Sequence, residues 1–131
     1  MPKVKLHHIF SLIIILVVVY IVSHLYINSN KNGPQLKIDV SEARSRRFGL
    51  IIDVRTPKDR ELFGYYPNSV PISIDKLNTQ VPLDISNKDT HILVYSSGDN
   101  KAGYAANILY RMGYHNVRYI TETYQSLMPG Y

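Results

Sequence analysis

The groups best placed for chemistry lie in one stretch, Val94-Tyr95-Ser96-Ser97-Gly98-Asp99-Asn100-Lys101-Ala102. Ser96, Ser97, Asp99, Asn100 and Lys101 crowd hydroxyls, a carboxylate, an amide and an ammonium around Gly98. The run from Thr90 to Tyr95 predicts a buried strand, and Asn100 to Met112 predicts a helix with Ala102, Ala105, Leu109 and Met112 on one face. A loop passing from a strand end into a helix N-terminus gathers unpaired N–H groups and the positive end of the helix dipole. Such a loop binds anions or mounts a nucleophile. The only nucleophile at its first position is the Ser96 hydroxyl, because the chain has no cysteine; disulfides, thiolate metal sites and thiol catalysis are thereby excluded.

Hydrolytic use of Ser96 needs a histidine and an acid beside it. His91 lies on the same strand and His115 falls in a turn across the domain, so Ser96 is read as a small polar residue satisfying loop N–H groups, with residual anion binding at Ser96 to Lys101 as the functional alternative. His7, His8 and His24 have no partners at ligand spacing, and neither a metal nor a cofactor is expected.

Alternating elements position this loop. Leu36 to Val40 predicts a strand, and Ser41 caps a helix that Gly49 stops after Phe48. Leu50 to Val54 is a continuous apolar run of buried-strand type. Thr56-Pro57-Lys58-Asp59 supplies an N-cap, a proline at the first helical position and an acid at the third, opening a helix that Gly64 closes. Val70 to Ile74 is a third strand, and the poorly patterned segment to Lys88 has room for a short helix. Val117 to Ile120 predicts a fifth strand, and Thr121 to Leu127 a short last helix. The expected fold class is α/β, with a mostly parallel five-stranded sheet covered on both faces.

Residues 9–27 form a nearly unbroken apolar run, which as a helix is about 28 Å long, close to the hydrocarbon thickness of a bilayer. No small-x-small cleavage site follows, so the run is read as a retained single-pass anchor in contact with lipid rather than a signal peptide. The division expected is a short basic N-terminus at 1–8, the span at 9–27, a flexible polar linker at 28–34 and a domain at 35–131. Lysines and arginines stand on both sides of the span, so the positive-inside rule does not decide topology. The nearest flank, Lys3 and Lys5, favours an extracytoplasmic or lumenal domain. Arg44, Arg46 and Arg47 are read as a solvated helix face, with headgroup contact as the alternative. A net charge of +5 is too mild to argue for nucleic acid. Of the eleven tyrosines, Tyr65 and Tyr66 border the presumed cleft and are the interface candidates for a protein partner.

Four pieces in order, Leu50-Ile51-Ile52-Asp53-Val54-Arg55-Thr56, Gly64-Tyr65-Tyr66-Pro67-Asn68-Ser69, Ile92-Leu93-Val94-Tyr95 and Met112-Gly113-Tyr114-His115-Asn116-Val117, resemble the rhodanese family. The resemblance implies a three-layer rhodanese-like domain in which Asp53 and Arg55 serve as framework. It also implies an active loop that begins with a persulfide-carrying cysteine and closes with arginine. Here Ser96 and Lys101 stand at those two places. Serine cannot hold a persulfide, and lysine lacks the planar fork suited to oxyanions. Asp99 adds a carboxylate to a ring of N–H groups that otherwise attracts anions. Other departures agree: Tyr65 replaces the family's turn histidine, Asn68 its glycine, Glu122-Thr123 its paired glycines and Leu127 its tryptophan. The function expected is that of a membrane-anchored, catalytically inactive domain that binds protein or builds a membrane-associated assembly. The alternative is a sulfurtransferase-related enzyme or anion sensor using the remaining loop.

Overall fold

Residues 5–31 and 34–130 are described by a computed structural model, and the chain divides into two units, Met1–Gln35 and Leu36–Tyr131. Residues 1–4 of the predicted basic N-terminus, 32 and 33 of the predicted linker, and Tyr131 lie outside the described residues.

The first unit is one helix, α1, Leu6–Lys31. It is longer than the apolar run at both ends and reaches into the stretch predicted as linker. Its part from Leu6 to Asn28 is long and apolar enough to cross a membrane, and none of it is buried within the protein. Ser11 donates its hydroxyl proton to the His7 carbonyl at 2.9 Å. This bond meets a polar group that hydrocarbon would leave unmet.

The second unit is built on a parallel four-stranded sheet in the order β2-β1-β3-β4. Its strands are β1 (Leu50–Asp53), β2 (Val70–Pro71), β3 (Ile92–Tyr95) and β4 (Val117–Tyr119). The predicted first strand, Leu36 to Val40, is corrected to a single bridge of Lys37 to Tyr119, which leaves four strands rather than the five expected. Asp39 already stands at the N-cap position of the next helix, α2 (Val40–Ser45), so the chain leaves the sheet after one pairing. Helix α2 accordingly starts before Ser41 and ends before Phe48.

Strand periodicity divides the core. Leu50, Ile52, Ile92 and Val94 face one side, where α4 (Leu77–Asp84) and α5 (Lys101–Arg111) bury Leu77, Val81, Ala102, Ala105, Ala106 and Leu109. Leu93 and Tyr95 face the other, against Ala43 of α2, Ile120 and Leu127. The face of α5 is made of small residues, which lets the helix lie close to the sheet: a Cβ at Gly103 would meet the Tyr119 ring at 3.0 Å. Burying these side chains contributes about 1.5–3 kcal/mol for each large aliphatic residue.

Local signals at the third helix were fully legible. Thr56 accepts a hydrogen bond from the Asp59 N–H at 3.1 Å, Pro57 occupies the first position of α3 (Pro57–Phe63), and Gly64 closes it at φ 75°. Val70 to Ile74 yields only the two residues of β2. The segment after it turns into a 3-10 turn, Ile74–Lys76, and then α4. The last predicted helix is a 3-10 turn, Tyr124–Leu127.

Candidate functional site

Two structures meet where β1 and β3 end side by side, with Asp53 in register with Tyr95. The first is a buried polar knot around Asp53. Arg55 holds the carboxylate with both arms of its fork, Nε to Oδ1 at 2.9 Å and Nη2 to Oδ2 at 2.8 Å, and its backbone N–H adds a third bond at 3.0 Å. Arg60 of α3 donates to Oδ2 at 3.1 Å, and the Tyr95 hydroxyl donates to the same atom at 3.2 Å. Arg60 also reaches Ser69, with Nη1 to the hydroxyl at 3.0 Å and Nη2 to the carbonyl at 2.7 Å. Tyr95 in turn accepts from the Tyr66 N–H at 3.1 Å.

Asp53 is 1% exposed, and a buried carboxylate survives as an anion only when its oxygens are fully engaged. Burial pushes the Asp53 carboxyl up, but the Arg55 bonds and charge, joined by Arg60, hold it below the usual carboxylate range. The bond to Asp53 raises the Arg55 guanidinium further above its ordinary value despite burial. Burial pushes the Tyr95 phenol up, so that it stays a protonated donor. Arg55 also lies over the rings of Tyr95 and Tyr124, at 5.5 and 5.4 Å, and donates to the Gly64 carbonyl at 2.6 Å.

The second structure is the loop that follows Tyr95. Ser96 is 2% exposed and, among the described residues, its Oγ has no hydrogen-bond partner. The expectation that Ser96 satisfies loop N–H groups is therefore corrected: its buried Oγ accepts no hydrogen bond from them. Ser97, Gly98, Asp99, Asn100 and Lys101 are exposed, with Gly98 at φ 82°, a backbone state that favours glycine. Asp99 Oδ1 accepts from the Lys101 N–H at 3.1 Å, which takes up one of the donors an anion would use.

The cavity beside this loop has a volume of about 370 Å³ and is lined by Ser96, Ser97, Arg55, Asp59, Phe63, Thr123 and Gln125. Asp99, Asn100 and Lys101 do not line it. The cation facing the cavity is Arg55 rather than Lys101, and Asp59 and Phe63 arrive from α3. Neither His91 nor His115 lines it, so no serine triad is assembled there. Among the described residues no group of three or more histidines, aspartates or glutamates is clustered to hold a metal.

Tyr65 is 51% exposed beneath the Arg60 guanidinium at 3.9 Å, whereas Tyr66 is half-buried against the core on the Leu93 side. Asn68 adopts φ 66°, so the turn at the family's glycine position keeps its left-handed backbone with a residue that tolerates it. Arg60, Ser69 and Tyr95 were missed as members of the Asp53 knot. The spacing of Arg60 from Asp53 gave no signal, because α3 must first fold back toward the end of β1.

The sequence matches the family described as Rhodanese-like domain over residues 36–127. No curated protein matches the chain in sequence. Among solved structures, the Alr3790 protein of Anabaena sp. superposes with a TM-score of 0.60 at 21% identity, covering 69% of this chain and 74% of that one. A protein of unknown function from Rhodopseudomonas palustris, described as a possible tyrosine phosphatase, gives 0.58 at 18% identity over 97% of this chain and 93% of its own. Thiosulfate sulfurtransferase of Pseudomonas aeruginosa gives 0.55 at 22% identity, covering 69% of this chain and 18% of that one. At these identities the likenesses establish the fold alone.

Proposed function

The chain belongs to the rhodanese-like domain family, and on that footing we propose that it is a single-pass, membrane-anchored member without sulfurtransferase activity. It acts by binding another protein, as a docking or structural component at a membrane. The observation that carries this reading is Ser96 at the family's cysteine position in a chain that has no cysteine at all. Persulfide chemistry needs a thiolate that forms and breaks an S–S bond, and a hydroxyl supplies neither the sulfur nor the readily formed anion.

What such a domain retains is its surface. Leu62 and Phe63 are each 63% exposed and Tyr65 is 51% exposed, all at the end of α3 or just beyond it. Grouped apolar side chains of this kind favour a partner that covers them. The length and composition of α1 support the anchor.

The full chain in mild detergent is expected to give no thiosulfate:cyanide sulfurtransferase or phosphatase turnover. Proximity labelling in the native membrane is expected to mark a defined set of neighbours that Leu62→Asp with Phe63→Asp loses while the chain still fractionates with membrane. Turnover abolished by Ser96→Ala would overturn this reading.

A second reading, an anion sensor, is favoured by the buried, unpartnered Ser96 hydroxyl beside Arg55. Thiosulfate or phosphate raising the melting temperature of the full chain at constant ionic strength, and doing so less for Ser96→Ala, would favour it.

A further inference from the structure

The three arginines after α1 do not form a helix face. Helix α2 stops at Ser45, with Arg46 already extended at ψ 154°, and Arg44, Arg46 and Arg47 instead line one groove of about 540 Å³. Phe48, Leu127 and Pro129 are among its apolar members, and no carboxylate lines it. Arg46 pairs with Glu42 one turn back on α2. Among the described residues Arg44 and Arg47 make no ion pair, and all three arginines are exposed.

We propose that this groove receives the phosphate headgroups of an anionic phospholipid leaflet, so that the domain docks on a membrane surface. Guanidinium forks suit phosphate oxygens, and apolar groups beside them suit the region where headgroup meets acyl chain. Of the apolar members, Pro129 is exposed and Phe48 half-buried at the rim, while Ala43, Leu93 and Leu127 belong to the core beneath. A leaflet uses the arginines together with that rim, whereas a small soluble anion uses the charge alone. Sequence position agrees. Arg44 to Arg47 follow Lys31, the last residue of α1, within the ~15–20 residues over which basic groups beside a span act. This inference rests on reading α1 as a membrane anchor.

Because the chain has no cysteine, Ser45→Cys offers a unique site for an environment-sensitive NBD label beside the groove. The labelled full chain is reconstituted into liposomes of phosphatidylcholine, with or without phosphatidylglycerol. It is expected to float with both, and its emission to shift to the blue only with phosphatidylglycerol, reversibly with salt. Arg44→Gln and Arg47→Gln are each expected to lower the docking equilibrium about fivefold, the factor given by about 1 kcal/mol per basic residue at an anionic surface. The double Arg→Lys variant is expected to retain most of the shift. Equal emission in the two lipids, or a shift that survives both glutamine substitutions, would overturn the inference while leaving the anchor intact. An equal response to inorganic phosphate with phosphatidylcholine would also overturn it, in favour of a soluble-anion site. Failure to float with either lipid would remove the anchor reading, and this inference with it.

Discussion

Asp53 and Ser96 stand at the ends of neighbouring parallel strands, and the fold treats them in opposite ways. Around Asp53 the carboxylate oxygens are met by Arg55, Arg60 and Tyr95, and Ser69 ties Arg60 and Tyr95 together. Around Ser96 the hydroxyl is equally buried and has no protein partner among the described residues. A buried polar network is worth its desolvation only when every member is satisfied, and the Asp53 knot meets that condition through one strand end, one helix and one turn. The loop position beside it is a cavity wall with an idle hydroxyl. The difference separates what holds the two strand ends together from what walls the cavity: the first is interlocked, and the Ser96 hydroxyl makes no bond to it.

The sharpest way to break this contrast is to cut the knot. Asp53→Asn leaves two guanidinium groups without their anion and is expected to cost about 3–5 kcal/mol of domain stability, read by thermal or urea unfolding of the full chain in detergent. Acid should reach the same group by titration. The Asp53 carboxyl sits below its ordinary value in the folded domain, so its contribution is fully present above the unfolded carboxylate range and is lost as pH falls through the lower native value. The loss of stability with acid should therefore be shallower in Asp53→Asn than in the parent, and equal slopes would count against the knot.

Tyr95→Phe removes a hydroxyl that engages Asp53 and the Tyr66 N–H. An expected cost of about 1–3 kcal/mol, with the sheet retained, places it between the extremes. Ser96→Ala should be the smallest effect, a change within about 1 kcal/mol in the stabilising direction, since it deletes a buried hydroxyl that bonds to nothing in the protein. A loss of more than that would mean that Ser96 is part of the knot after all.

The parts of this picture that could be read in the sequence are those governed by local rules. Thr56, Pro57, Asp59 and Gly64 bound α3 as their individual preferences require, and Leu50 to Asp53 is a largely apolar, β-branched run too short for a buried helix, so it forms a strand. Leu36 to Val40 misled because Leu36 and Ile38 are buried, as in a strand, while the backbone pairs only at Lys37 before turning into α2. Burial alternation reports which side a residue faces, not how many ladder bonds its chain makes. The loop showed a similar limit. Polar types in a row marked Ser96 to Lys101 as one site, yet only Ser96 and Ser97 of that row line the cavity, and its cation comes from Arg55. Which side chains share a cavity is a matter of tertiary placement, and Arg60 and Ser69 stayed hidden for the same reason.

The sheet's margins carry a consequence of their own. On one side it ends in β2, two residues long and closed by the exposed Pro71; on the other it ends in the single bridged residue Lys37. Proline offers no N–H, and lysine resists burial beneath a second sheet, so neither margin presents a usable ladder to another strand. Copies of the domain can thus meet margin to margin without zipping into a continuous sheet. A protein bound at either margin would have to recognise side chains and shape, a mode of recognition that single substitutions can retune.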